Sequence, residues 1–326
     1  NVCSFMTQIY RADKMENDQS IHHIVLAVPE TVVKIKKCPS MVSVFLKAFF
    51  LSPFRSNTIK DDVIVKKTLI ILKNYLPDKE LVKIYRIVCG FSEDRPEIIP
   101  ISYLQTIFTG LLGKFITSSF FPINPLGLIH IFQSFEQKRS VTTDEILDLA
   151  CTLDSIKKTG KGIETSFTLE VWSQGKLVWQ GISVFFTRSP VKKKKTAEKK
   201  DETFLEKKET IRVPAGTGRR YANVSGDYNP HHLYTVLAKL FGFKRAIAHG
   251  MWSLARVVAS LDRAFGIHDS AFVEASFKLP IFMPATTCLG YECQNDTENQ
   301  QIIVNFELRD KQKGLPHLKG RLLKAI

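Results

Sequence analysis

One arrangement of predicted elements occurs twice in the chain, and it constrains the fold more than any other feature. In each half a long apolar helix comes first and four strand-like runs follow it. The predicted helices span Ile101–Ser119 and His249–Phe265, and both are apolar around most of their circumference, as buried helices are. A repeated order of this kind favours two copies of one α+β unit over two unrelated domains.

The strand-like runs are rich in β-branched and aromatic residues and are separated by turn residues. They lie at about 127–136, 146–154, 163–173 and 176–187 in the first half, and at about 270–279, 285–293, 301–309 and 318–325 in the second. Ser173-Gln-Gly-Lys176 is typical of a tight hairpin, and Gly266 stands where a helix often ends. We expect each unit to be an antiparallel sheet curled around its helix, with the two sheets joined edge to edge.

A charged segment marks the boundary between the two units. Residues 191–209 are nearly free of apolar side chains, and such a segment rarely buries anything. The predicted organisation is an N-terminal extension at 1–60, a first unit at 61–190, a charged linker at 191–209 and a second unit at 210–326. Within the extension, the apolar residues of Phe45–Leu51 suggest a short helix packed on the first unit.

Charge and hydropathy narrow the classes of function. The net charge is +14, which suits anionic membrane surfaces, phosphorylated ligands or acidic partner proteins. Nucleic-acid binding would need a groove-reading helix or stacking aromatic residues beside the basic run at Lys192–Lys195, and neither is found, so we expect no nucleic-acid partner. No apolar stretch reaches the roughly 18 residues that suggest a membrane-spanning helix, so we expect no transmembrane segment.

The cysteines show no metal-binding or redox spacing. The chain has six, Cys3, Cys38, Cys89, Cys151, Cys288 and Cys293. Reduced thiols in a cytoplasmic protein are the simplest interpretation. We therefore expect a cytoplasmic protein with no bound metal and no cofactor of its own.

Only the second half has candidate catalytic residues in the segment that precedes its helix. The segment Tyr221–His232 places Asp227 and His232 five residues apart, and a His-Gly pair then opens the helix. The corresponding stretch of the first half, Cys89–Pro96, has no histidine and no Asn-Pro turn. We therefore expect one active site per chain, on the second unit, with a structural or substrate-holding role for the first.

Two motifs of the second half resemble those of a known family. Ser225-Gly-Asp-Tyr-Asn-Pro-His-His232, with Ile247-Ala-His-Gly-Met251, is similar to the motifs of MaoC-like, (R)-specific enoyl-CoA hydratases, and Phe277-Lys-Leu-Pro280 fits the same pattern. The likeness covers about residues 210–285. The first half resembles, more loosely, the degenerate unit of two-unit members through Phe121–His130. The resemblance implies a double hot-dog fold, in which sheets wrap long central helices.

The resemblance also implies roles for individual residues. Asp227 and His232 match the catalytic pair, and Gly250 matches the residue whose backbone N–H binds the thioester oxygen. His231 occupies a position that is commonly aliphatic in the family, so either adjacent imidazole could face the substrate, and the motif spacing selects His232. The implied reaction is reversible hydration of a trans-2-enoyl thioester to the (R)-3-hydroxyacyl thioester.

These residue types suit the reaction on their own. A carboxylate can hold and deprotonate water, and an imidazole of near-neutral pKa can hold the same water and pass on a proton. Negative charge develops on the thioester oxygen, where an N–H at the positive end of a helix can stabilise it. The turn at Asn229-Pro230 brings Asp227 and His232 to one side, although Asp227 taken alone could be only a turn former.

Further substrate-binding candidates are Asn229, His249, Tyr221 and Arg245. Each has a plainer interpretation. His249 could shape the start of the helix, and Tyr221 could simply pack. The basic group Arg219, Arg220, Lys244 and Arg245 could be a solvated face, or it could bind the phosphates of coenzyme A.

Two alternative functions stay open beside the acyl-CoA hydratase. A 3-hydroxyacyl dehydratase acting on acyl-carrier-protein thioesters is one, because an acidic carrier protein suits a basic chain. A non-enzymatic hot-dog protein that binds acyl thioesters or lipids is the other. Since two fused units already form a dimer-like core, we expect a monomer or a homodimer of such pairs.

Overall fold

One continuous sheet runs through both halves of the chain. The structure is a computed structural model that describes residues 23–24, 31–39, 41–59, 68–125, 128–188, 205–267 and 269–325. Its strands are β1 (His23–Ile24), β2 (Thr31–Ile35), β3 (Thr68–Tyr75), β4 (Leu128–Gln137), β5 (Leu147–Thr159), β6 (Gly162–Ser173), β7 (Lys176–Arg188), β8 (Lys207–Val213), β9 (Ala271–Phe277), β10 (Ala285–Asp296), β11 (Gln301–Asp310) and β12 (Pro316–Ala325).

Among the described residues, the longest α-helix is the last one, with 16 residues. The α-helices are α1 (Met41–Leu51), α2 (Lys79–Cys89), α3 (Tyr103–Thr106), α4 (Thr109–Ile116), α5 (Thr217–Ser225), α6 (Pro230–Leu233), α7 (Thr235–Leu240) and α8 (Gly250–Phe265). Within the described residues, no helix is both long and apolar enough to cross a membrane.

The two halves have the same strand order. The first runs β3-β5-β6-β7-β4 and the second runs β8-β10-β11-β12-β9. They join where β4 pairs antiparallel with β9, from Phe132 opposite Ser276 to Gln137 opposite Ala271. At the outer end of the first half, β2 adds a parallel strand to β3. The repeated α+β unit and the edge-to-edge junction of the sheets are confirmed.

Helix α8 is the central helix of the second half. Leu254, Val257, Val258 and Leu261 on it are completely buried. His249 is the N-cap, with ψ of 136°, so the helix begins one residue later than predicted. Gly266 ends it in the left-handed conformation, with φ of 68°, as predicted.

The single long helix predicted at Ile101–Ser119 is wrong, because the segment divides into α3 and α4. The side-chain hydroxyls of Thr106 and Thr109 donate hydrogen bonds to the carbonyls of Tyr103 and Thr106. Hydroxyl groups that bond the preceding turn compete with regular helix geometry. The all-round apolar pattern of this segment indicated burial correctly but not helix continuity.

The short helix predicted near Phe45–Leu51 is present as α1, and it lies on α4. Contact is made by small side chains: a methyl group at Gly113 would lie 2.7 Å from Cγ1 of Val44, and Val44 and Ala48 are buried. The large aromatic side chains of Phe49 and Phe50 are instead 66% and 68% exposed. The prediction thus located the helix, but the residues that pack are not the bulky ones.

Each half has a fifth strand, before its helix, that the sequence analysis did not predict. These strands are β3 and β8. Because β8 begins at Lys207, the end of the predicted linker at 191–209 is regular strand. The linker residues up to 204 lie outside the described residues.

Candidate active site

Asp227 lies in the turn between α5 and α6. Helix α5 ends at Gly226, which has φ of 72° in the left-handed region that favours glycine. Oδ1 of Asp227 then accepts a hydrogen bond from the Asn229 amide at 3.2 Å. The side chain remains 34% exposed. Asp227 is therefore both the turn former of the plainer interpretation and a carboxylate accessible to a ligand.

His232 lies on α6, which begins at Pro230 and whose first turn is closed by the His232 amide donating to the Asn229 carbonyl at 2.9 Å. Nδ1 of the ring is 2.8 Å from the carbonyl oxygen of Ile247. Because a carbonyl can only accept, Nδ1 carries the hydrogen and Nε2 of the neutral ring is left as an acceptor. The backbone thus fixes which nitrogen can serve as a base.

His249 completes a compact cluster with these two residues. Its Nε2 donates to the backbone carbonyl of Asp227 at 2.8 Å, and its ring stacks on that of His232 with centroids 3.7 Å apart. Nε2 is 3.9 Å from Oδ2 of the same aspartate, too far for a hydrogen bond. His249 therefore contacts and orients both Asp227 and His232, the predicted catalytic pair. This role goes beyond shaping the start of the helix.

Burial keeps the clustered imidazoles neutral. The pKa of His232 is well below its usual value, first because of burial and then because of the neighbouring His249 and His231. Burial also lowers the pKa of His249, to about 3. The near-neutral imidazole expected from the sequence is replaced by one that accepts a proton only weakly in the resting protein.

The doubled histidine is resolved by ring packing. The His231 ring lies 5.8 Å from the ring of Phe241 and 5.4 Å from that of Phe243, between centroids, on the side of the loop after α7. The His232 ring stacks on His249, and the His231 ring meets it only edge-on, with centroids 4.1 Å apart. His232 is therefore the member of the pair inside the cluster with Asp227, in agreement with the motif spacing.

Gly250 is the first residue of α8, where the amides of the opening turn have no partner within the helix. The ring of Phe277, at the end of β9, covers this residue so closely that a methyl group on Gly250 would lie 3.1 Å from it. Such a distance is tighter than ordinary van der Waals contact. The helix N-terminus therefore offers N–H donors beside the cluster, in a place where only glycine fits easily.

The other candidates are placed differently. Asn229 acts through its backbone amide and carbonyl, as described above. Tyr221 is buried behind His249, with ring centroids 5.0 Å apart, and Arg245 is exposed on the loop before α8. Arg219 donates to the Leu233 carbonyl at 3.1 Å. The structure gathers Asp227, His232, His249 and Gly250 but leaves Arg245 at the surface.

The same cluster has the spacing of a metal-binding set. One ligand atom from each of Asp227, His232 and His249 lies within 4.8 Å of the others. Two imidazoles and a carboxylate can hold a divalent transition metal. The expectation of a metal-free site stays a prediction, and Asp227 and the two histidines are the residues to examine if metal is found.

Three residues near the site were not identified as functional from the sequence. Gly218 on α5 lets the backbone of His232 approach closely. Phe277 covers Gly250, and His130 on β4 contacts Phe277 with ring centroids 5.0 Å apart. Phe277 and His130 both lie in motifs that resemble the family, which was the available signal. Nothing in the local sequence around Gly218 indicated its contact.

The buried His249 should make folding sensitive to acid. In the unfolded chain a histidine titrates near 6.5, whereas the pKa of His249 in the folded protein is about 3. Below about pH 6.5 the unfolded state therefore binds more protons, and stability falls as pH falls, by about 1.4 kcal/mol per pH unit for this residue. Urea unfolding at several pH values between 7 and 5 measures the slope. We expect a shallower slope for His249→Asn, and an unchanged slope would refute this effect.

Known proteins match the part of the chain that contains this cluster. The family model described as "MaoC like domain" matches residues 194–312. A relative from Mycobacterium tuberculosis, 3-hydroxyacyl-thioester dehydratase X, is 26% identical over 223 residues, which are 68% of this chain and 77% of that protein. Residues 194–312 contain the whole cluster around Asp227, His232 and Gly250.

Solved structures share the fold. The crystal structure of HtdX from Mycobacterium tuberculosis superposes with a TM-score of 0.67 at 24% identity, over 78% of this chain and 98% of that one. A MaoC-like dehydratase from Phytophthora capsici gives a TM-score of 0.62 at 20% identity, over 79% and 95%. A conserved hypothetical protein of Mycobacterium tuberculosis with a double hotdog fold gives 0.50 at 8% identity, over 78% and 94%. Residues 194–312 therefore match a MaoC-like domain, and the fold of the chain is the double hot-dog.

Proposed function

We propose that the protein is a hydro-lyase that interconverts a trans-2-enoyl thioester and the (R)-3-hydroxyacyl thioester. The observation that carries the proposal is the cluster of Asp227, His232 and the N-terminus of α8 within the MaoC-like domain. It combines a partly exposed carboxylate, a neutral imidazole with Nε2 as an acceptor, and amides that have no partner within the helix. A protein that only binds lipid has no need of this combination.

In the proposed mechanism Asp227 and His232 hold one water molecule between them. The carboxylate and Nε2 of the imidazole each accept one of its hydrogens. As the water oxygen bonds to Cβ of the enoyl group, one of the two acceptors takes a proton from the water and then delivers it to Cα, so that the enzyme returns to its starting protonation state. The reverse sequence removes water from the 3-hydroxyacyl thioester.

Gly250 serves the other end of the conjugated system. Addition at Cβ moves negative charge onto the thioester oxygen, and the Gly250 N–H at the start of α8 is the proposed donor. One such donor is typically worth about 3 kcal/mol of the barrier. The positive end of the helix dipole acts in the same direction.

His249 has a supporting role in this scheme. Its Nε2–H holds the Asp227 carbonyl at 2.8 Å, and its ring stacks on His232. These contacts fix the distance between the carboxylate and the imidazole, and a misplacement of about 1 Å can reduce a rate about 10²-fold. The relative 3-hydroxyacyl-thioester dehydratase X supports thioesters as the substrate class.

The test is the loss of the conjugated enoyl absorbance when purified protein is added to trans-2-enoyl thioesters. We expect turnover, and a panel that varies both chain length and carrier identifies the substrate. Faster turnover of carrier-protein thioesters than of coenzyme A thioesters would support the dehydratase of fatty-acid synthesis instead. Tight binding without turnover across the whole panel would favour the non-enzymatic alternative.

A further inference from the structure

The first half of the chain places one polar atom near the site that the proposed mechanism does not use. The ring of His130, on β4, stacks on Phe185 with centroids 4.6 Å apart, and its centroid lies 5.0 Å from that of the Phe277 ring. Its Nε2 is buried and has no hydrogen-bond partner among the described residues. An unpaired buried polar atom is destabilising, and a partner supplied by a ligand would remove that destabilisation.

The position of His130 relates it to the thioester end of the site. It lies on the strand that joins the two halves, and the adjoining strand β9 carries Phe277. Phe277 in turn covers Gly250 at the start of α8. The charge of Asp227 also acts on the His130 ring. His130 therefore lies at the seam with the second half, where Phe277 contacts both His130 and the proposed oxyanion donor.

The chemistry of Nε2 follows from the other contacts of the ring. Burial lowers the pKa of His130 to about 4, so the ring is neutral near pH 7. Hydrogen bonds with the Phe132 backbone and, to a smaller extent, with the Gln133 side chain oppose this lowering of the pKa, which means that the ring donates in them. Because Nε2 has no partner, Nδ1 is the donor, and Nε2 is left as a hydrogen-bond acceptor.

An acceptor in this place requires an N–H or O–H group on the ligand. The enoyl group has neither, and both hydrogens of the attacking water are directed at Asp227 and His232 in the proposed mechanism. The nearest remaining donor of an acyl thioester is the first amide of the pantetheine arm, which a short ethylene spacer separates from the sulfur. Coenzyme A and carrier-protein thioesters share this amide.

We propose that His130 binds the pantetheine arm, with Nε2 accepting a hydrogen bond from the amide N–H nearest the thioester sulfur. The first half then positions a substrate whose reaction occurs on the second half. This inference rests on the proposed function, because it takes an acyl thioester as the ligand. His130 is a positioning residue in this account and takes no part in proton transfer.

A matched pair of substrates tests the contact directly. One is the enoyl thioester of N-acetylcysteamine, and the other is the same molecule with an ester oxygen in place of the amide N–H. We expect His130→Phe, which keeps an aromatic ring, to lower kcat/KM about tenfold or more for the amide substrate. The ester substrate should be nearly unaffected, and His130→Gln, which keeps an acceptor, should recover part of the loss.

Other outcomes overturn the contact. An equal loss on both substrates would indicate a structural role, and no loss on either would exclude the hydrogen bond. The wild-type protein gives a further test that needs no variant, since it must prefer the amide substrate to the ester. If wild-type protein turns over no enoyl thioester, the proposed function fails separately. Binding of the saturated amide and ester thioesters then makes the same comparison.

Discussion

Asp227→Asn should reduce the rate of enoyl-thioester hydration about 10²- to 10⁴-fold, the range typical of a lost general acid–base group. The substitution keeps the size of the side chain and an oxygen that can accept the Asn229 amide, so the turn should survive. What is lost is the negative charge that polarises the water and can take its proton. We expect the loss in kcat, with KM changed much less.

The neighbouring histidines provide a matched comparison for this experiment. His232→Ala should fall to a similar low rate, because Nε2 of His232 is the second acceptor for the water. His231→Ala should lose much less activity, since the His231 ring packs on Phe241 and Phe243 and meets the His232 ring only edge-on, with centroids 4.1 Å apart. Steady-state kinetics on the three variants, each checked for folding by circular dichroism, gives the result. Full activity in Asp227→Asn and His232→Ala would mean that the site is assigned wrongly.

Gly218→Ala should damage both stability and activity, although helix propensity predicts the opposite. Alanine is favoured over glycine in a helix by about 1 kcal/mol. At this position, however, the added methyl group would overlap the carbonyl oxygen of His232 and lie 2.9 Å from its carbonyl carbon. Both atoms belong to backbone, which cannot rotate away. Overpacking of this kind costs about 1–3 kcal/mol, and relief of the clash would displace His232.

Gly216→Ala, at the N-cap of the same helix, is the control. A methyl group there meets only the end of the flexible Arg219 side chain, at 3.6 Å. Urea unfolding and kcat/KM should therefore change little in this variant and strongly in Gly218→Ala. A stabilised and fully active Gly218→Ala protein would show that α5 and α6 can separate without consequence for His232.

The second half was predictable because its local signals and its tertiary structure agree. The apolar helix, the glycine at 266 and the alternating strands each point to the same elements, and α8 begins one residue from its predicted start. In the first half the tertiary structure overrides the pattern. Because Gly110 and Gly113 have no side chains, the segment that contains Val44 can pack closely against α4. The hydroxyls of Thr106 and Thr109 bond to the preceding turn at the point where the predicted helix divides. Contacts between segments far apart in the chain leave no local pattern to detect.

The first strands of the two halves were missed for a related reason. Strand β8 reads Lys-Lys-Glu-Thr-Ile-Arg-Val, and its charge made it look like the end of the linker. It is the last strand of the sheet in the order described here, and lysine at a sheet edge discourages pairing with other chains. Helix α2 was also not predicted, although its sequence carries the usual start and stop residues. Asp78 caps its start by accepting from the amides of Glu80 and Leu81, and Gly90 ends it.

For the site, the sequence supplied the residues but not their electrostatics. The motif placed Asp227, His232 and Gly250, and the structure brings them together with His249. The lowered pKa of His232 depends on burial and on two other imidazoles, one of them seventeen residues away in sequence. The contribution of His130 depends on the pairing of β4 with β9 across the seam, which no motif on either strand specifies.

Isotope transfer from water tests the central claim most directly. Wild-type protein is incubated with a trans-2-enoyl thioester in H₂¹⁸O, and the product is analysed by mass spectrometry after chiral separation. We expect an (R)-3-hydroxyacyl thioester with the heavy oxygen on Cβ, and almost none of it from Asp227→Asn. Recovery of unlabelled enoyl thioester that the wild-type protein binds but never hydrates would contradict it.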